Sequence, residues 1–261
     1  MGVRQQAIRS SGQDIWLLVD VSRSMDAADV APTRLLRAQA ALSELSATFP
    51  ADRLGLIVFG SEAFVQCPLT YDQPALQTFL STLGTRLVPP GPTTLRAPLE
   101  LLLSKLPAAS GGPARAVAAV VVSDGEDFGE NLEPVVQSLS RAGVRVFAMG
   151  VGTAQGAPVP AAGNKTALRD ERGRPVQTRL REAALLQLAA QTNGQYVALN
   201  NRDNGLPGLL ADLRNLPPVA SAAATRTVPV ADNRYRYPLG LALALLLLDS
   251  LLTVRVLRLD P

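Results

Sequence analysis

The sequence predicts an α/β protein built on a doubly wound, mostly parallel sheet with one antiparallel edge strand, followed by a C-terminal transmembrane helix. Three observations carry that expectation: short apolar runs alternate with stretches of helical spacing, one run follows its predecessor too closely for a crossover, and a leucine-rich segment stands near the end. The runs Asp14 to Val21, Leu54 to Phe59, Val117 to Val122 and Val144 to Met149 are almost continuously apolar. Strands covered on both faces require such runs.

Between the runs lie Arg34 to Phe49, Gln73 to Leu83, Leu95 to Leu106, Leu132 to Ala142 and Arg181 to Thr192, each with apolar residues at helical spacing. Regular alternation of strand and helix predicts parallel strands with helices on both faces. Ala63 to Pro68 is separated from the second run only by Gly60, Ser61 and Glu62. A parallel crossover needs about a dozen residues, so this segment is expected to be an antiparallel partner at the edge. Thr153 to Thr178, with its prolines, glycines and Glu171-Arg172-Gly173, predicts a loop and a small hairpin. Gly194 to Leu199 supplies a last strand and Gly205 to Leu216 a closing helix.

The expected organisation is thus a lead over residues 1–13, a folded domain over 14–216, an extended linker over 217–237, a membrane helix over 238–257 and a tail over 258–261. In the segment Pro238 to Leu257, Leu239 to Leu248 is uninterruptedly apolar. A helix of about 20 residues spans about 30 Å, enough to cross a hydrocarbon core. Asp249 opposes insertion by about 2.5 to 3.5 kcal/mol, and the surrounding leucines offset most of it. A cell-membrane location follows as an expectation. Arg234 and Arg236 on one flank balance Arg255 and Arg258 on the other, so charge assigns no side to the domain.

Composition excludes several chemistries. The 261 residues contain no histidine, which removes Ser-His-Asp and Cys-His catalysis and histidine-ligated zinc. Cys67 is alone, so there is neither an internal disulfide nor a CxxC site, and it reads as a small buried hydrophobe. The net charge of +3 comes from scattered arginines, and an aromatic content of 4% gives few stacking platforms. No nucleic-acid partner is expected.

The first strand ends in Asp20-Val-Ser22-Arg-Ser24, a later one runs into Ser123-Asp124-Gly125-Glu126-Asp127, and Pro92-Thr93-Thr94 stands before a helix. In an open parallel sheet, ligands bind beyond the carboxyl ends of the strands, where all three loops are expected. The candidate ligand set is Asp20, Ser22, Ser24, Thr93 and Asp124. Hard oxygen donors without sulfur or imidazole suit Mg²⁺, or Mn²⁺ or Ca²⁺. If Ser22, Ser24 and Thr93 bind directly while Asp20 and Asp124 act mainly through water, a cation there stays electron-poor and suited to capture an Asp or Glu carboxylate of a protein partner.

These strings, with Met25, resemble the metal-ion-dependent adhesion site of von Willebrand factor A domains. Asp52 to Gly60, Ala63 to Tyr71, Gly150 to Pro158 and Thr192 to Tyr196 are similar to the Bat proteins of bacterial aerotolerance operons. The resemblance implies a Rossmann-like fold, binding without catalysis, and partners among other Bat proteins and a MoxR-type AAA+ ATPase. Two departures stand out. Pro92 separates Gly91 from Thr93, where the family has glycine directly before the threonine, which leaves Thr94 as an alternative ligand to Thr93. The family also carries two membrane helices ahead of the domain, whereas the first strand here is expected at Asp14, so the chain reads as tail-anchored or as beginning further upstream.

The rival expectation is a Mg²⁺-dependent phosphatase of the haloacid-dehalogenase type, with Asp20 as nucleophile and Asp124 and Asp127 on the metal. That family's general acid/base two residues after the nucleophile is here Ser22, which cannot serve. Gly150-Val-Gly152 superficially resembles a dinucleotide loop, yet its spacing is wrong and a proline-rich loop follows it instead of a helix.

Overall fold

The computed structural model describes residues 3–8, 12–106, 115–127, 131–161, 166–216, 226–231, 240, 245 and 246. It divides into two compact units, one of residues 11–222 and the other of 1–10 with 223–261.

The larger unit is built on six strands: β2 (Asp14–Asp20), β3 (Arg53–Phe59), β4 (Ala63–Thr70), β5 (Val117–Ser123), β6 (Arg145–Val151) and β9 (Tyr196–Leu199). Their spatial order is β4-β3-β2-β5-β6-β9, parallel throughout except for β4, which returns antiparallel beside β3. Strand order therefore reverses between β2 and β5. The register Val19↔Val122 brings the ends of those two strands side by side, so the crevice of the reversal opens over Asp20 and Ser123.

Period-2 alternation builds two cores. Ile15, Leu17 and Val19 of β2 join Leu54, Leu56, Val58 and Val120 on one face, while Trp16 and Leu18 join Ile57, Phe59 and Val121 on the other. Helices α1 (Arg34–Thr48), α2 (Gln73–Ser81) and α6 (Leu206–Arg214) cover the first face. Helices α3 (Arg96–Lys105), α4 (Glu133–Arg141) and α5 (Glu182–Gln191) cover the second. In α1 the buried residues Leu35, Ala38, Ala41, Leu42 and Leu45 follow helical spacing, and Thr33 caps the helix by accepting a hydrogen bond from the Leu36 amide at 3.2 Å. At the amino end of β2, the buried Asp14 pairs with Arg53 and Arg115.

The expected hairpin is present but reaches further back than its polar tip. β7 (Ala157–Pro158) pairs with β8 (Gln177–Thr178), with single bridges Pro160↔Ala167 and Arg169↔Pro175 between. The Val159 amide donates to Val176, the Val176 amide to Leu168 and the Leu168 amide to Val159, at 2.9, 2.8 and 2.8 Å. These three bonds tie the insertion into a closed backbone ring.

In the smaller unit, β1 (Val3–Ile8) and β10 (Arg226–Ala231) form an antiparallel ribbon within the stretches read as lead and linker. Ribbon pairing satisfies backbone groups that an isolated extended chain leaves to water. The expected fold class is corrected in one respect, the transmembrane helix: among the described residues no helix is long and apolar enough to cross a membrane. Of the segment 238–257, only Gly240, Leu245 and Leu246 are described, as helical and exposed, and the rest lies outside the described residues. Hydropathy records how apolar a segment is, whereas crossing also demands about 20 residues of continuous helix.

Gly55 shows how closely the sheet is packed, because a Cβ there would lie 2.7 Å from the Trp16 ring of the neighbouring strand. Gly55→Ala is expected to lose about 1–3 kcal/mol by overpacking. Gly84→Ala, where nothing lies within 4 Å, should shift stability by less than about 0.5 kcal/mol. Urea unfolding of the two variants checks this, and equal midpoints would contradict it.

Candidate metal centre

Asp20 is the last residue of β2 and is wholly buried. Its Oδ1 accepts from the Ser22 amide at 2.9 Å and its Oδ2 from the Ser123 hydroxyl at 2.7 Å. Just past it the Val21 amide still donates to Phe59, after which the chain turns into a single 3₁₀ turn over Arg23–Asp26. Met25 drops into the core and anchors that turn, which leaves Ser22 and Ser24 on the crevice side with their hydroxyl oxygens 2.9 Å apart. Neighbouring ligands on an octahedral Mg²⁺ with bonds of about 2.0–2.1 Å are separated by about the same distance.

The Thr93 loop is held against the end of β3 by the Thr94 amide, which donates to Gly60 at 3.1 Å. Thr93 lines a cavity of about 300 Å³ together with Ser22, Ser24 and Glu126. The Thr94 hydroxyl instead accepts from the Arg96 amide at the start of α3, and Asp127 accepts from the Leu95 amide beside it. Both are used locally as helix-start partners.

Asp124 follows β5 and is also buried. Its Oδ1 accepts from the Glu126 amide at 3.1 Å, and its Oδ2 accepts from Arg34 Nη1 at 2.8 Å and from the Thr178 hydroxyl at 3.2 Å. The loop is pinned by Gly125, at φ 73°, where a Cβ would lie 2.1 Å from the Arg181 carbonyl oxygen. Only a residue without a side chain fits that approach.

Arg34 is the residue that sequence reasoning missed. Its guanidinium is wholly buried: Nε and Nη2 fork onto Asp29 at 2.8 and 2.9 Å, while Nη1 serves Asp124 and Thr178. Gly152 makes room for it, since a Cβ there would lie 2.9 Å from Nε. Asp29 also accepts from the Thr153 amide and hydroxyl at 2.8 and 3.0 Å. A pairing across 90 residues of chain leaves no local pattern in the sequence, although a charged residue at an apolar position of α1 was a signal available there.

The electrostatics are unequal. Burial, then the neighbouring Asp124 charge, push the Asp20 carboxyl up to about 7, against the opposing hydrogen bonds from Ser123 and Ser22. Burial would raise Asp29 as well, but Arg34 and Thr153 outweigh it and hold that carboxyl below its ordinary value. Asp124 has its cation in Arg34, whereas the Asp20 carboxylate accepts only from neutral donors. Among the described residues no three or more Cys, Asp or Glu side chains gather at one point. The candidate centre is two buried carboxylates behind a lining of hydroxyls, a donor set that fits a hard cation.

An open sheet wound both ways, with hydroxyls and carboxylates from loops at the carboxyl ends of its strands, is the arrangement that the resemblance to von Willebrand factor A domains implies. A family model described as von Willebrand factor type A domain matches residues 15–126. The chain is 32% identical to an aerotolerance-related membrane protein from Bacteroides fragilis, solved with multiple mutations to serines; the match covers 78% of this chain and 99% of that one, with a TM-score of 0.72. It is 28% identical to a conserved hypothetical protein, BatB, from Bacteroides thetaiotaomicron, over 78% of this chain and 98% of that one, again with a TM-score of 0.72. This chain belongs to the von Willebrand factor A domain proteins of the Bat aerotolerance type. A third structure, proximal thread matrix protein 1 from the mussel byssus with a zinc-occupied MIDAS motif, is 13% identical over 81% of this chain and 48% of that one, with a TM-score of 0.57. That likeness shows the fold alone. No curated protein matches the chain.

Arg34→Met keeps much of the packing but leaves Asp29 and Asp124 buried without their cation. Stability is expected to fall by about 3–5 kcal/mol in urea unfolding, and an unchanged midpoint would contradict the assigned network. Because the folded value of Asp29 is depressed, its contribution is complete above the ordinary carboxylate range and is lost as pH falls through the folded value. Unfolding midpoints should therefore drop in acid, and by less in Asp29→Asn.

Proposed function

We propose that this chain is a non-catalytic binding module which holds one Mg²⁺, or Mn²⁺ or Ca²⁺, at Asp20, Ser22, Ser24, Thr93 and Asp124 and captures a carboxylate of a protein partner there. The observation that carries the proposal is the buried Asp20 carboxylate, destabilised by burial and by Asp124, directly behind three hydroxyls that open on a cavity. Asp20, Ser22, Ser24, Thr93 and Asp124 would hold the divalent cation, which when bound would offset the buried Asp20 charge and attract an Asp or Glu side chain of a partner. Ser22, Ser24 and Thr93 contribute oxygens without charge. Arg34 takes up part of the Asp124 charge, so the site retains too little negative charge to satisfy a dication on its own. An external anion completes it.

The byssus protein is named with zinc in its MIDAS motif, which supports a cation at the corresponding place in this fold. Partners among other Bat proteins and a MoxR-type AAA+ ATPase are part of the proposal, on the family likeness. A membrane location is proposed as well; its support is the name of the Bacteroides fragilis relative, and no helix among the described residues carries it.

The phosphatase alternative has no support from the geometry. Both Asp20 oxygens accept hydrogen bonds inside the fold, Asp127 is engaged at the start of α3, and Ser22 stands where a general acid would be needed.

Calorimetric titration of the chain with Mg²⁺ or Mn²⁺ is expected to give one ion per chain and none for Asp20→Ala; equal uptake by the two would refute the site. No turnover of aryl phosphates is expected with Mg²⁺ present. Hydrolysis that disappears in Asp20→Asn would establish an enzyme instead.

A further inference from the structure

Two cavities meet beside the candidate centre. The smaller, of about 300 Å³, is lined by Ser22, Ser24, Thr93 and Glu126 together with Val159, Leu168 and Val176. Those three apolar side chains come from the insertion between β6 and α5, and they are the same residues whose backbones close its hydrogen-bonded ring. The larger, of about 710 Å³, continues from it, sharing Arg23, Thr85, Val88, Pro89 and Pro90. Its lining also includes Leu36 and Leu87, which are 48% and 36% exposed. Few large apolar side chains of the domain are that exposed, and two of them line one groove leading away from the polar site. Isolated exposed leucines need no explanation, but a pair inside a concave surface that adjoins a polar site does.

The charges along this groove have one sign in excess. Arg23 and Arg86 both line it and neither has an ion-pair partner among the described residues. The acid in the same lining, Asp26, accepts a hydrogen bond from the Thr85 hydroxyl at 2.6 Å, so the positive excess belongs to the larger cavity, while Glu126 lines the smaller one beside Arg23. Such a groove attracts an acidic segment and holds it through an apolar anchor.

We infer that the groove receives an extended, acidic segment of a protein partner in which a large aliphatic or aromatic side chain stands close to the captured Asp or Glu. The acid enters the hydroxyl-lined cavity, the apolar side chain lies in the groove against Leu36 and Leu87, and Arg23 and Arg86 face the segment's remaining acids. This rests on the metal-site proposal, since the acid needs the cation as its ligand. The groove adds selectivity that a cation alone cannot supply, because any exposed carboxylate would satisfy the cation.

The test uses the full chain and a set of synthetic peptides with a central Asp on an alanine and serine background, into which a single Leu is walked through the flanking positions. Uptake of Mn²⁺ alone is measured first by calorimetry, for the wild type and for Leu36→Ser and Leu87→Ser, both surface changes. Binding of fluorescent peptides is then measured with Mn²⁺ and with a chelator. At one or more Leu positions, binding should be about tenfold tighter than for the Leu-free peptide. That gain should vanish in Leu36→Ser or Leu87→Ser while their Mn²⁺ uptake stays that of the wild type, and all binding should be lost with the chelator. Absence of Mn²⁺ uptake would overturn the metal site, and the groove assignment with it. Normal uptake with equal binding of all peptides, or with binding of none, would overturn the groove assignment and leave the metal site standing.

Discussion

The arrangement of the site depends on one buried cation. The Arg34 guanidinium ties the first turn of α1 to Asp29, to the Asp124 loop after β5 and, through Thr178, to the insertion that follows β6. A guanidinium has the donors and the planar fork to serve such a set at once, which the point charge of lysine cannot do. Burying it is costly, and the cost is met only because its Nε and both terminal nitrogens find acceptors. The consequence for the site is a division of labour between the two carboxylates. Asp124 is held in place and partly neutralised, while Asp20, whose bonds come from neutral donors, remains the group for which a compensating cation matters most.

The same network links the polar site to its apolar surroundings. Thr178 ends the insertion that supplies Val159, Leu168 and Val176, and its hydroxyl touches both Arg34 and Asp124. The Arg181 amide, donating to the Asp124 carbonyl at 2.8 Å, adds a second tie at the start of α5. The insertion is thus joined to the site loops by hydrogen bonds as well as by chain connectivity, which positions its apolar wall beside the hydroxyls.

Much of this was legible in the sequence, and the parts that were not share a physical cause. Runs such as Trp16 to Val19 and Val120 to Val122 announce strands covered on both faces, and the helices begin and end within a few residues of where their periodicity places them. The antiparallel β4 followed from the shortness of the Gly60 to Glu62 connection. Asp20, at the end of β2, and Ser22, Ser24, Thr93 and Asp124, in the loops beyond the strands, could be gathered as candidates because topology concentrates ligands at the carboxyl end of the sheet. Arg34 was missed because two of its partners lie 90 and 144 residues away, and its place at an apolar position of α1 was the one local mark of burial. The β1–β10 ribbon was missed for a similar reason: it pairs Val3 with Ala231, and Pro229 breaks the appearance of a strand in one of its partners. At the C-terminal segment apolar composition gave the expectation of a spanning helix, whereas among the described residues no helix is long and apolar enough to cross a membrane.

The central claim is that a divalent cation sits among oxygens from the three loops at the reversal of strand order. Crystals of the chain grown with Mn²⁺, measured on both sides of the manganese absorption edge, test it most directly. The account predicts one anomalous peak per chain beside Ser22, Ser24 and Thr93, in an all-oxygen coordination sphere that Asp20 and Asp124 complete directly or through water. A peak held by other residues, or crystals with no peak at that position under saturating Mn²⁺, would contradict it.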